Sequence, residues 1–261
     1  MTPKLTDRPA LTRHRTRART EALFLHADVA HETQERLSEV NRTFTSPVVV
    51  TPFPEFWPGF ATVPDADLLD LTDGAHDLVI HALCLHWADD PVGQVVQCRR
   101  ALAPDGLFMA VCFGGETLRE LRAALTAAEA EVTGGLSPRI LPMADIRDLG
   151  ALLSRAGLAL PVADADRRTV RYRDALHLMH DLRGMGETSA LDARPRRFTR
   201  SGVLLGAAAR YQADHADAEG RIPATFDLVW LTGWAPHPGQ PQPLRPGSAT
   251  HRLADALRPK D

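Results

Sequence analysis

The sequence has no GxGxG pattern, no CxxC pair and no uninterrupted apolar run near the roughly 18–20 residues that a bilayer span requires. Without a glycine-rich phosphate cradle there is no basis for P-loop chemistry. Cys84, Cys98 and Cys112 stand alone, which removes paired-cysteine metal spacings and leaves them as small buried hydrophobes. An odd cysteine count without a secretory leader points to a reducing cytoplasm. The net charge of −3 supplies no bulk field for nucleic acid. No nucleophilic triad and no internal repeat is visible. What remains is an ordinary globular composition, and 261 residues allow one large domain or one domain with an appendage.

The most informative stretch present is 77–113. An apolar strand, Asp77 to Leu85, leads into the polar loop His86-Trp87-Ala88-Asp89-Asp90-Pro91. A helix is predicted over about Val92–Leu102, then a Pro104-Asp105-Gly106 turn and a second apolar strand, Leu107–Phe113. This is a βαβ unit whose strands are apolar on both faces, as in a parallel sheet covered by helices. Ligands in such sheets sit at the carboxyl ends of the strands, here Leu85-His86-Trp87 and Phe113-Gly114-Gly115-Glu116.

Upstream, Arg8, Arg13, Arg15, Arg17 and Arg19 face only Asp7 within the first twenty positions. Targeting peptides share this bias, but their serines are missing, so residues 1–45 read as a helical lead-in with helices at Arg13–His26 and Val29–Val40. Its basic face is either solvated or turned to an acidic partner or membrane surface. Val48-Val49-Val50 is a short buried strand, and Ala61-Thr62-Val63 a second. Between them Pro52, Pro54 and Pro58 prevent a long helix. Downstream, Thr117 and Glu120 match a capping box for a helix to about Val132. Helices follow at Ala144–Ala156, Asp174–Met185 and Leu204–His215, with extended segments at 158–172 and 224–234. The expected division is 46–235 for the main domain, with a helical insert at about 174–215, and 236–261 for a Pro/Gly-rich tail.

The Asp-Leu-Val strand, the Leu-His-Trp-x-x-Asp loop and the Arg-Arg-Ala-Leu-x-Pro-Asp-Gly turn resemble the second half of a class I S-adenosylmethionine-dependent methyltransferase. Further along, Gly134-Gly135-Leu136-Ser137-Pro138-Arg139, Asp148-Leu149-Gly150, Asp181-Leu182-Arg183-Gly184-Met185-Gly186-Glu187-Thr188, Gly233-Trp234 and Arg245-Pro246-Gly247 resemble the methyltransferase-like family of complex I assembly factors and, more distantly, the biotin-pathway malonyl-carrier O-methyltransferases. The resemblance implies an α/β fold with a doubly wound, Rossmann-like, mostly parallel sheet of seven strands closing in an antiparallel hairpin, 158–172 with 224–234. It implies S-adenosylmethionine as cofactor and a respiratory complex I subunit as protein partner, in a bacterial cytoplasmic protein with no transmembrane segment.

The cofactor half departs from that pattern. The loop after Val50 is Thr51-Pro52-Phe53-Pro54-Glu55-Phe56-Trp57-Pro58-Gly59, and the interval from Val48 to Leu78 is too short for three crossovers of roughly 30 residues each. A shortened first half is therefore expected. Thr51, Asp65, Leu85 and His86 are the cofactor-binding candidates. Asp65 or Asp67 serves as the ribose acid, or both simply solvate a turn. His86 and Trp87 are the catalytic candidates by position; the alternative is a strand end and a packed indole. Gly114, Gly115, Arg139, Gln240 and Arg245 are the substrate-binding candidates, or loop-stabilising residues. Phe53, Phe56, Trp57 and Phe60 either fill the cofactor volume or form an exposed patch. His76, His81 and His86 alternate strand faces, and His177 with His180 lacks a third ligand, so no metal site is expected. Two functions follow: a methyltransferase with unknown acceptor, or a non-catalytic member of the same fold that works as a binding and assembly module.

Overall fold

The computed structural model describes residues 4–241. Its helices are α1 (Arg8–Arg15), α2 (Phe24–Glu39), α3 (Pro91–Ala101), α4 (Arg119–Thr133), α5 (Ile146–Arg155), α6 (Ala175–Gly184) and α7 (Ser201–His215). The strands are β1 (Pro47–Val50), β2 (Ala61–Val63), β3 (His76–Ala82), β4 (Leu102–Phe113), β5 (Ala159–Tyr172) and β6 (Ile222–Trp234). They form one sheet in the order β2-β1-β3-β4-β6-β5. β1 to β4 run parallel, and β6 enters antiparallel between β4 and β5.

Alternation along β3 and β4 explains the two-layer core. Leu78, Ile80, Leu107, Met109 and Val111 face α2, α4 and α7, whereas Val79, Phe108, Ala110 and Cys112 face α3 and α5. Strands buried on both faces need apolar residues at every position, which is why no polar alternation marks them.

The first half is shortened as the chain length demands. Among the described residues the sheet has six strands, one fewer than the family pattern. The β1–β2 crossover holds only a turn of 3-10 helix, Pro54–Phe56, and the β2–β3 crossover holds no helix. The expected C-terminal hairpin is present, with Tyr172 opposite Ile222 and Ala159 opposite Trp234. Arg245 and most of the 236–261 tail lie outside the described residues.

Two local expectations are corrected. The lead-in helix breaks: Asp7 caps α1 by accepting from Ala10 N, Pro9 sits in its first turn, and after Thr16 the chain bends so that Arg19 N donates to Gly184 O at 2.8 Å. Thr117 and Glu120 do not form a capping box. Leu118 caps α4 with a left-handed φ of 53°, while Thr117 exchanges hydrogen bonds with the Asp227 backbone and Glu120 accepts from the Thr225 hydroxyl at 2.5 Å. Both side chains were claimed by β6, a tertiary partner that local sequence cannot reveal.

Candidate functional site

At the carboxyl end of β1, Thr51 N donates to Val63 O at 3.0 Å and the Thr51 hydroxyl accepts from Phe53 N at 3.1 Å. Phe53 and Trp57 are buried, and Phe53 meets the His26 ring edge-on at 4.6 Å. These aromatics therefore fill space under α2 rather than forming an exposed patch. Asp65 lies just past β2, in the position expected of a ribose acid. Its Oδ2 accepts from Arg8 Nη1 at 3.0 Å and Arg15 Nη1 at 2.5 Å, and its side chain is 2% exposed. Burial pushes the carboxyl up, but the two guanidinium groups outweigh it and hold it below its ordinary value. Asp65 Oδ1, Arg8 Nη2, and Arg15 Nε and Nη2 are buried without a partner. A cavity of about 490 Å³ opens here, lined by Arg15, Leu23, Phe53, Pro64 and Asp65 among others. Asp67 pairs with Arg8 Nε at 3.0 Å on the surface.

The α1 arginines reach this place because the preceding segment is tied across the Trp87 turn. The Thr6 hydroxyl donates to Trp87 O at 2.8 Å, and Asp89 Oδ1 accepts from Leu5 N and Thr6 N. Asp90 alone caps α3, accepting from Gly93 N at 2.8 Å.

At the end of β3 the backbone turns through Leu83, a non-glycine residue at φ 48°. Leu85 then points into the core, Trp87 is buried, and the His86 side chain is 3% exposed. The Trp87 indole donates to Glu187 Oε2 at 2.8 Å, and His86 Nε2 stands 3.7 Å from the same oxygen. The His86 ring packs against Phe113 at 4.9 Å, and neither of its nitrogens has a hydrogen-bond partner.

Glu187 is delivered by the end of α6. Gly186 takes φ 79°, its N donates to Arg183 O, and Glu187 N donates to Leu182 O at 3.0 Å, which completes a Schellman cap. Burial would raise the Glu187 carboxyl. The His86 ring, the Arg15 charge and the Trp87 indole outweigh this and lower it to about 2. Its Oε1 is buried without a partner, as is the Ser189 hydroxyl. Both residues line an apolar pocket of about 200 Å³ walled by Trp87, Phe113, Leu121, Met143, Met179 and Phe226.

The sequence candidates thus divide. Thr51, Asp65, Leu85, His86 and Trp87 gather at the carboxyl ends of β1, β2 and β3. Arg139 lines the apolar pocket while held by Glu129 at 2.6 Å and Thr199 at 2.8 Å. Gly114 is pressed between strands: a Cβ there would stand 2.6 Å from Asp227 Oδ2 and from Val229 Cγ2. Gly115 faces the Met143 and Ala144 carbonyls. Gln240 is far from this end, donating to Asp105 Oδ1 and Ala235 O beside the start of β4. It therefore lies at the opposite end of the parallel strands and does not line the pocket. His76 and His81 hold Ser46 O and Gln94 respectively, and no group of three or more ligand-type residues arranged for a metal occurs among the described residues. Sequence reasoning missed Glu187 and the Arg8–Asp65–Arg15 cluster. Gly186 follows the helix predicted over Asp174–Met185, but nothing local pairs the acid after it with an indole 100 positions away.

Residues 26–110 match the methyltransferase-domain family. Over 198 residues the chain is 38% identical to "Arginine-hydroxylase NDUFAF5, mitochondrial" of Danio rerio, which covers 76% of this chain and 61% of that protein. The Homo sapiens protein of the same name is 39% identical over 193 residues, covering 74% and 56%. Malonyl-(acyl-carrier protein) O-methyltransferase of Xylella fastidiosa (strain M23) is 34% identical over 172 residues, covering 66% and 56%. The chain thus spans little more than half the length of these curated relatives. Among solved structures, the YcgJ protein of Bacillus subtilis aligns with a TM-score of 0.51 at 10% identity, covering 79% of this chain and 99% of that one, a likeness of fold. Sheet order, strand-end geometry and these relatives agree: the chain is a methyltransferase-fold protein related to the NDUFAF5 proteins.

Proposed function

We propose that this chain works as an NDUFAF5-like binding and assembly factor that holds a cationic side chain of a protein partner, a respiratory complex I subunit, in the apolar pocket at the carboxyl ends of β3 and β4. The observation that carries this reading is Glu187, a buried carboxylate with one unpartnered oxygen on an apolar wall. A buried anion needs a cation or a full set of donors; Trp87 and, at 3.7 Å, His86 serve Oε2, and Oε1 is left bare. A pocket of about 200 Å³ suits one long side chain with an aliphatic stem and a charged head. Arginine meets both needs and is the residue in the relatives' name.

S-adenosylmethionine does not fit the nucleoside end as it stands. Arg8 and Arg15 occupy Asp65 Oδ2, and buried Phe53 and Trp57 replace the glycines that would let backbone approach a ligand. A second reading, S-adenosylmethionine-dependent transfer near His86 and Trp87 with α1 moved aside, draws support from Asp65: a buried acid just past β2 that lines a cavity of about 490 Å³. The buried, free cysteines agree with a reducing compartment such as a bacterial cytoplasm. Among the described residues no helix is long and apolar enough to cross a membrane.

Affinity capture with the tagged chain is expected to return a complex I subunit, and Glu187→Gln to weaken that capture by about tenfold, the worth of one charge-assisted contact. Capture unchanged by Glu187→Gln would overturn the pocket assignment. Calorimetric titration with S-adenosylmethionine separates the readings: binding near micromolar supports transfer, and none up to millimolar supports the binding module.

A further inference from the structure

A second cleft, of about 460 Å³, lies on the other side of the N-terminal segment from the Asp65 cavity. Arg17, Arg19, Arg183, His14, His180 and Thr188 line it. No carboxylate lines it, and among the described residues none of these three arginines forms an ion pair. Their neighbours behave otherwise: Arg8, Arg15 and Arg194 each hold an aspartate within 3.0 Å. The cleft is built rather than incidental. Arg19 N is fixed to Gly184 O at 2.8 Å, and Arg19 Nη2 lies 2.9 Å from where a Gly184 Cβ would stand, so glycine lets the guanidinium lie across the end of α6. His14 Nδ1 is held by Thr188 O at 3.0 Å. The carboxyl ends of α1 and α6 point here and together offset roughly one positive charge. Three guanidinium groups therefore leave an excess of about two charges in a chain of net charge −3.

We propose that this cleft binds a phosphate group, held by Arg17, Arg19 and Arg183. A tetrahedral dianion matches the uncompensated charge, and guanidinium forks bind its oxygens bidentately. The source is a soluble phosphorylated molecule or a phospholipid headgroup, and the cleft chemistry is the same for both.

The test uses the full chain at constant ionic strength. Inorganic phosphate is titrated against chloride while the His14 and His180 ring resonances are followed by NMR. In parallel, the chain is sedimented with phosphatidylcholine vesicles with and without phosphatidic acid. Saturable phosphate binding is expected, weakened about tenfold by Arg17→Glu and by Arg183→Glu but not by Arg13→Glu, which alters net charge equally outside the cleft. Sedimentation only with phosphatidic acid identifies a headgroup, and phosphate binding without vesicle capture identifies a soluble ligand; both support the site. Absence of saturation together with absence of vesicle capture overturns it, as does an equal loss in Arg13→Glu.

Discussion

At the scale of single residues, two glycines and one acid set the geometry. Gly186 closes α6 at φ 79° and sits against Arg15, since a Cβ there would stand 3.0 Å from Arg15 Cα. Gly186→Ala is expected to destabilise the chain by about 1–2 kcal/mol through the left-handed backbone alone. It should also shift the Trp87 indole resonance as Glu187 moves; urea unfolding and NMR check both. Gly114→Ala should cost roughly 1–3 kcal/mol, because a methyl group must displace Asp227 or Val229. Little of this was visible beforehand. A helix over Asp174–Met185 is legible, and that much places its end just before Gly186. The partner of Glu187 could not, because a contact between positions 87 and 187 leaves no trace in spacing.

At the scale of elements, α1 is the part whose role differs most from expectation. Its arginines read as a face either solvated or turned to an acidic partner or membrane surface, yet Arg8 and Arg15 neutralise a buried aspartate of the chain itself. Arg8→Ala with Arg15→Ala should destabilise by about 3–5 kcal/mol, because Asp65 is left as a lone buried charge. Adding Asp65→Asn should recover most of that loss, and a thermodynamic cycle of urea midpoints measures it. Strands were more legible than helix ends. The alternation in β5 and the apolar runs of β3 and β4 follow from which faces are covered, a property each strand carries in its own residues. The break between α1 and α2 and the side chains of Thr117 and Glu120 depend on Gly184, Asp227 and Thr225, far away in the chain.

At the scale of the whole molecule, the shortened first half was legible through arithmetic alone: the chain between Val48 and Leu78 cannot hold three helical crossovers. The placement of Gln240 was not, since the sequence of a loop does not say at which end of the strands it packs. Proton linkage is also a global property. Burial lowers His26 to about 3 and holds His81 below its ordinary value. Both stay neutral when folded and charge when unfolded, so their contribution is full above about pH 6.5 and is lost as pH falls toward the folded values. Stability should drop by about 1.4 kcal/mol per pH unit per group in that window. Melting temperature against pH from 7 to 5 should be flatter for His26→Leu.

The three thiols carry a practical consequence. All are free and fully enclosed, and burial pushes Cys112 up to about 12. Thiolate is the reactive form, so alkylating reagents and mild oxidants should find Cys112, inside β4, only when the sheet itself opens. Labelling of Cys112 would then report opening of the central sheet rather than local fraying, giving a built-in clock for how long each copy of the chain stays intact.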